Sequence, residues 1–168
     1  MINKTEAAVD MKLEVVLLEV SDVDRAKAFY ENLGWRIDVA AGDFRGVQMT
    51  PHNSEASIIF GKGVTSVQPG SFKGLVLAVD NVDTARNDLV ARDVKVSEVF
   101  HYAGGPFNST GENPRVGGRD PEGRSYFSFA SFEDPDGNGW LLQEIQTRLP
   151  GREWKTRAQA LDIATISL

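Results

Sequence analysis

The sequence contains no cysteine, so disulfides, thiolate nucleophiles and thiolate-bound metals are all excluded. Histidine is nearly as scarce. His52 and His101 are the only two, which leaves little imidazole for metal ligation or proton transfer. No apolar stretch approaches the roughly 18 to 20 residues needed to span a bilayer, and no membrane partner is expected. The opening MINKTEAAVD lacks the apolar run of a secretory signal, so residues 1–11 read as a flexible leader and a cytoplasmic location is expected. Positive charge is also in deficit. A net charge of −6 and a pI near 4.9 disfavour binding to nucleic-acid phosphates, which calls for clustered Lys and Arg.

What the chain does contain is an internal repeat. Val20-Ser21-Asp22-Val23-Asp24-Arg25-Ala26-Lys27 returns 59 residues later as Val79-Asp80-Asn81-Val82-Asp83-Thr84-Ala85-Arg86. Each copy follows an apolar run, Leu13 to Val20 and Phe72 to Val79, and opens a helical pattern. Repetition at a fixed period implies two copies of one supersecondary unit. In the first copy, a strand over 13–20 is followed by a helix from Val23 to Leu33, stopped at Gly34, where a left-handed cap costs glycine nothing. Strands over 35–41 and 44–50, a turn over 51–55 and a strand over 56–61 complete a β-α-β-β-β unit. The second copy reads as a strand over 72–79, a helix over 82–92, and strands over 95–100, 125–132 and 140–147. Its last two strands flank the turn Asp134-Pro135-Asp136-Gly137-Asn138. A linker, residues 62–71 with Pro69 and Gly70, joins the copies. The length of 168 residues and the 41% hydrophobic content suit one sizeable core.

The doubled unit, the helix start V-S-D-V-D-R-A-K-A-F-Y and the turn F-E-D-P-D-G-N-G-W resemble the vicinal oxygen chelate superfamily, which includes glyoxalases, extradiol dioxygenases and bleomycin-resistance proteins. The resemblance covers residues 12–148. It implies an α+β fold in which two βαβββ units (12–61 and 72–147) form a curled mixed sheet with a central cleft. The glyoxalase-like domain then spans 12–149, and 150–168 form a C-terminal tail. Because one fold of this kind serves many chemistries, function rests on the site.

Metal-dependent members of the superfamily carry a His on the first strand of each unit, seven residues before the Asp that opens the helix. Those positions hold Val15 and Gly74 in this chain. The family's carboxylate position on the last strand holds Leu141, with Ser57 as its expected counterpart in the first unit. None of the four supplies an imidazole or a carboxylate, so neither a metal nor any other cofactor is expected. Strand alternation places Val15, Leu17 and Glu19 on one face of the first strand, Gly74 and Val76 on the equivalent face of the second unit, and Leu141 and Gln143 on the last strand. This is a mainly apolar wall with a few polar points, the composition of a small-molecule pocket. The alternative is a filled barrel core without a cavity.

The segment 102–124 is longer than most structureless connections, which serve a function or are disordered beyond about 12 to 15 residues. It reads either as a lid bringing His101, Tyr102 or Arg115 to a ligand, or as a solvated loop whose charges pair among themselves. Asp134 and Asp136 read as turn formers, and Glu144 as facing the helix layer to satisfy a buried partner. Tyr126 is a further candidate for ligand contact. Two functions fit. One is a metal-independent binding protein for a small organic molecule; the other is a lyase, isomerase or dioxygenase-type enzyme with ligands or acid–base residues that the sequence does not mark. Exposed strand edges and the Pro69-Gly70 linker lead to the expectation of a homodimer.

Overall fold

A computed structural model describes Val9 and residues 11–40, 45–108 and 111–152. The expectations for most of the leader, for Ala41-Gly42-Asp43 and for the amphipathic tail over 156–168 lie outside the described residues. The element order is β1 (Val15–Glu19), α1 (Val23–Asn32), β2 (Arg36–Val39), β3 (Gly46–Thr50), β4 (Ser57–Gly61), β5 (Leu75–Val79), α2 (Val82–Ala91), β6 (Phe100–Tyr102), β7 (Arg115–Gly117), β8 (Phe129–Glu133) and β9 (Gly139–Glu144). The first sheet has the order β1-β4-β3-β2 and the second β5-β9-β8-β6-β7. In each sheet the first strand pairs in parallel with the last strand of its copy, so the twofold βαβββ pattern is present.

The repeated sequence does the same local work in both copies. Asp22 is extended (φ −142°) and its carboxylate accepts from the Arg25 amide at 3.0 Å. Asn81 is extended as well (φ −143°), and its side-chain oxygen accepts from the Thr84 amide at 2.9 Å. Each satisfies one of the amides that a helix start leaves without an intrahelical partner. Gly34 follows α1 with φ 80°, a left-handed conformation that favours glycine.

The chain divides into two compact units, one of residues 1–73 with 134–139, the other of residues 74–133 with 140–168. In the first, Leu18, Val20, Val47, Met49, Ile58 and Phe60 are buried with Ala26 and Tyr30 of α1. Tyr30 stacks on Trp35 at 4.9 Å and lies 5.3 Å from Phe60, ring centroid to centroid. In the second unit Phe132 and Trp140 stack at 6.2 Å, and Leu75, Val82, Leu89 and Leu142 are buried.

The turn Asp134–Gly139 connects β8 to β9, yet it is built into the first unit. Asp134 is buried, and both carboxylate oxygens are used. Oδ1 accepts from the amides of Asp136 (3.0 Å) and Asn138 (2.8 Å); Oδ2 accepts from the Tyr30 hydroxyl (2.9 Å) and Asn138 Nδ2 (2.8 Å). Asn138 accepts the Phe72 amide at 3.3 Å and donates to the Glu19 carbonyl at 3.4 Å. Asp136 takes the Ser21 amide and hydroxyl and Arg25. Gly70 passes so close that an added Cβ would lie 1.8 Å from the Asp136 carbonyl oxygen. No side chain fits there.

Several strands differ from the sequence expectation. Residues 95–99 form only an isolated bridge, Val96 to Phe132, before β6 begins. The expected strand over 125–132 starts at Phe129 because Tyr126 has φ 75°, which breaks an extended run. The segment 102–124 is not structureless: β7 lies within it and pairs antiparallel with β6 through Phe100–Gly117, His101–Val116 and Tyr102–Arg115.

The Asp134 carboxylate sets a stability test. Tyr30→Phe removes one buried hydrogen bond to a charged acceptor while keeping the ring, and should cost about 1.5–3 kcal/mol. Urea unfolding measures it as a lower midpoint at unchanged slope.

Candidate functional site

The strand registers fix which residues share a face. In the first unit Val15 pairs with Ser57, Leu17 with Ile59 and Glu19 with Gly61. These side chains lie opposite the α1-packed face that holds Leu18, Ile58 and Phe60. Leu17 is exposed, Val15 and Ile59 are half-buried, and Ser57 is buried with its hydroxyl 2.7 Å from Thr50 Oγ1. Thr50 in turn donates to Asp38, whose carboxyl is held below its ordinary range first by that bond and then by Arg36 at 2.6 Å. Glu19 is committed locally. The Gly63 amide at 2.5 Å, then the Thr65 amide at 2.9 Å and hydroxyl at 3.2 Å, lower its pKa against the opposing effect of burial. Its carboxylate therefore clamps the 62–66 loop.

In the second unit Val76 pairs with Leu141 and Ala78 with Gln143. Val76 and Ala78 are exposed and Leu141 is half-buried. Gly74 precedes β5 and is exposed. Gln143 is buried and donates through Nε2 to the Tyr126 carbonyl at 3.0 Å; Tyr126 also accepts the Leu149 amide on its hydroxyl at 3.2 Å. Farther across the sheet, Phe100 of β6 is paired with Phe129 of β8. Their rings stack at 5.8 Å, Tyr102 meets both edge-on at 5.4 and 5.3 Å, and Phe107 meets Phe129 at 5.9 Å. The guanidinium of Arg115 lies 4.1 Å from the Phe100 ring centroid and donates to Ser131 Oγ at 3.1 Å. Phe100, Phe107 and Phe129 were not among the expected site residues. The alternation Phe100-His101-Tyr102 was the available signal, because it sets two rings on one strand face.

His101 points to the other side of β6 and is hydrogen-bonded through Nδ1 to the Gly118 carbonyl at 2.9 Å. There it lines an open recess of about 430 Å³ with Asp120, Glu122, Arg124 and Phe127. The side chains of His101 and Tyr102 therefore lie on opposite faces of β6, although both residues border this recess. Its charges are paired. Asp120 is buried and receives Arg124 in a two-pronged contact, Nη2 at 2.7 Å and Nε at 3.0 Å. Those bonds, against the opposing effect of burial, hold the Asp120 carboxyl down at about 2. Arg124 also lies 3.2 Å from Glu122 and 4.0 Å from the Phe127 centroid. Arg119 pairs with Glu144 and lies 3.7 Å from Asp83. Glu144, fully buried, also accepts the first-turn amide of Val82 at 3.0 Å. It serves as the anchor of α2, on the helix side of the sheet.

The registers also refine the equivalence between the copies. Leu17 and Val76 are 59 residues apart and pair with Ile59 and Leu141 respectively. Ile59, two residues beyond Ser57, is thus the counterpart of Leu141. The positions where the resemblance implies metal ligands hold Val15, Ile59, Gly74 and Leu141. Three hydrocarbon side chains and a glycine do not fit a divalent ion, which requires imidazole, carboxylate or several oxygens. Among the described residues, no three His, Asp or Glu side chains are grouped to hold a metal elsewhere, and no helix is long and apolar enough to cross a membrane.

Comparison with known proteins agrees with this architecture. The family model of the Glyoxalase/Bleomycin resistance protein/Dioxygenase superfamily matches residues 12–142. Among solved structures, the chain is similar to TnmS3, an antibiotic binding protein from Streptomyces sp. CB03234, with 25% identity, a TM-score of 0.59 and coverage of 83% of this chain and 99% of that one. A glyoxalase/bleomycin resistance protein from the same organism shows 26% identity and a TM-score of 0.56, covering 79% of this chain and 100% of its own. A superfamily member from Sphaerobacter thermophilus DSM 20745, at 22% identity, TM-score 0.59 and coverage of 80% and 98%, shares the fold. No curated protein sequence matches.

The Asp120–Arg124 contact predicts a pH signature. A carboxyl depressed in the folded state stabilises the protein above its unfolded pKa of 3.8, and that contribution is lost as pH falls toward about 2. Arg124→Gln should therefore destabilise at pH 6, with the gap from the unaltered protein closing between pH 4 and 2. Thermal melts across that range measure the gap.

Proposed function

The chain belongs to the glyoxalase/bleomycin resistance protein/dioxygenase superfamily, and from that premise we propose that it binds a small organic molecule in an apolar cleft, without a metal ion. The observation that carries this reading is the donor set. Val15, Ile59, Gly74 and Leu141 stand at the family's ligand positions, and none offers a donor side chain. Metal-assisted chemistry at those positions would have nothing to hold the ion, whereas aliphatic side chains suit the apolar body of a ligand. The similarity at 25% identity to a protein described as antibiotic binding supports the same direction.

The ligand-facing residues in this reading are Val15, Leu17 and Ile59 in the first unit and Val76, Leu141, Gln143, Tyr102 and Arg115 in the second. Glu19, Ser57 and Tyr126 contribute by position: their polar atoms hold the 62–66 loop, Thr50 and the 147–149 segment. Gly74 adds no side chain. His101, on the far side of β6, belongs to the recess with Asp120. The protein acts as a homodimer, located in the cytoplasm.

Two measurements test the proposal. Incubation with EDTA followed by desalting should leave the melting temperature unchanged, and Zn, Mn or Ni added afterwards should not raise it. A loss on chelation that one of those ions restores would overturn the metal-free reading. Light scattering at micromolar concentration should give about twice the chain mass of 18.4 kDa; a single-chain mass would reject the dimer.

A further inference from the structure

The three arginines of the 111–124 segment have different surroundings. Arg119 has Glu144 and Asp83, and Arg124 has Asp120 and Glu122. Arg115 pairs with no carboxylate among the described residues. Its contacts are the Ser131 hydroxyl and the face of Phe100. A guanidinium carries five N–H donors, and one is engaged here. In a chain with net charge −6, an arginine facing the sheet without a counter-ion stands apart from its neighbours.

Its setting is aromatic. Phe100 and Phe129 form a buried base, Tyr102 is set edge-on against both, and Phe107 rests on Phe129 while remaining 63% exposed. Phe107 is also held at φ 54°, where a bulky residue is disfavoured. Beside this cluster the same face continues into Leu141 and the exposed Val76, and an added side chain at Gly117 would meet open space. A surface arginine packed on an aromatic ring and otherwise in water is the simple alternative. What argues for more is the combination: exposed ring surface for a flat apolar body lies next to free donors suited to a carboxylate, which guanidinium groups bind in a two-pronged geometry.

We propose that Arg115, with Tyr102 and Phe107, forms a subsite for the acidic group of a planar aromatic carboxylate. This deepens the small-molecule binding reading above and rests on it. The charge preference is the new element, since the acidic surface of the chain as a whole would favour cations.

Isothermal titration with 2-naphthoate, 2-naphthamide and 2-naphthylmethylamine tests it, because the three share a ring system and differ in charge. The acid should bind at least tenfold tighter than the amide, and the amine weakest. Arg115→Gln should bring acid and amide to within about twofold of each other. Phe107→Ala should weaken both in parallel and leave their ratio intact. Arg115 and Phe107 are exposed, and melting curves of the variants confirm folding. Equal binding of acid and amide, preference for the amine, or an acid preference that survives Arg115→Gln would overturn the subsite while leaving small-molecule binding in place. Failure of all three probes to bind would reject both.

Discussion

The Asp134 carboxylate is the group on which the first unit depends most. It is buried and accepts four hydrogen bonds, three within its own turn, from the Asp136 amide and the Asn138 amide and side chain, and one from the Tyr30 hydroxyl. A buried carboxylate is costly unless its lone pairs are occupied, and here one of the occupying groups, the Tyr30 hydroxyl, comes from far along the chain. Through Tyr30 it fixes α1; through Asn138 it reaches the carbonyl of Glu19 at the end of β1 and the amide of Phe72 ahead of β5. One short turn thus gathers the helix, the first strand and the exit of the unit. A leucine or valine in place of Asp134 would take away the acceptor of the Tyr30 hydroxyl and of the Asp136 and Asn138 amides.

The hydrogen-bonding capacity of the polar residues decides much of how the sheet faces divide. Glu19, on the side of β1 away from α1, spends its carboxylate on Gly63 and Thr65. Ser57 and Thr50 bond to each other, and Gln143 bonds to the Tyr126 carbonyl. These bonds occupy much of the polar capacity, and what the faces present beside Gln143 is mostly hydrocarbon: Val15, Leu17 and Ile59 in one unit, Val76 and Leu141 in the other. Apolar surfaces of this kind recognise by shape and contact rather than by charge.

Much of this organisation was legible in the chain. The repeated Asp/Asn-Val-Asp segment marked both helix starts because a side-chain cap needs a short polar residue at one position. The D-P-D-G-N segment read correctly as a turn, and Glu144 as a buried partner, because strand alternation put it on the helix side. The strand β7 was hidden. Arg115-Val116-Gly117 is too short for alternation to register, is flanked by proline and glycines, and is specified by its partner β6 rather than by propensity. Register was hidden for the same reason. Ser57 and Ile59 both lie on the correct face, and only cross-strand pairing shows which of them answers Leu141. The aromatic cluster was missed because its members come from two strands and a loop, and the ring they gather on, Phe129, is more than twenty residues away from the other three in sequence.

The two copies also show how a repeat diverges under a single polar demand. At the 59-residue offset Tyr30 corresponds to Leu89. Both side chains are buried on their helices, but leucine has no hydroxyl and requires no acceptor. The turn before β4 in the first copy is closed instead by a Ser54–Pro51 backbone hydrogen bond of 3.0 Å, and its His52 is exposed. Tyr30 bonded to Asp134 and Leu89 without a hydroxyl are two consistent solutions. Exchanging one member alone would leave a buried hydroxyl or a buried carboxylate short of a partner, which costs more than the hydrogen bond itself contributes. Tyr30 and Asp134 are therefore coupled, and one polar contact is enough to make the two copies differ in side chains where their backbones agree.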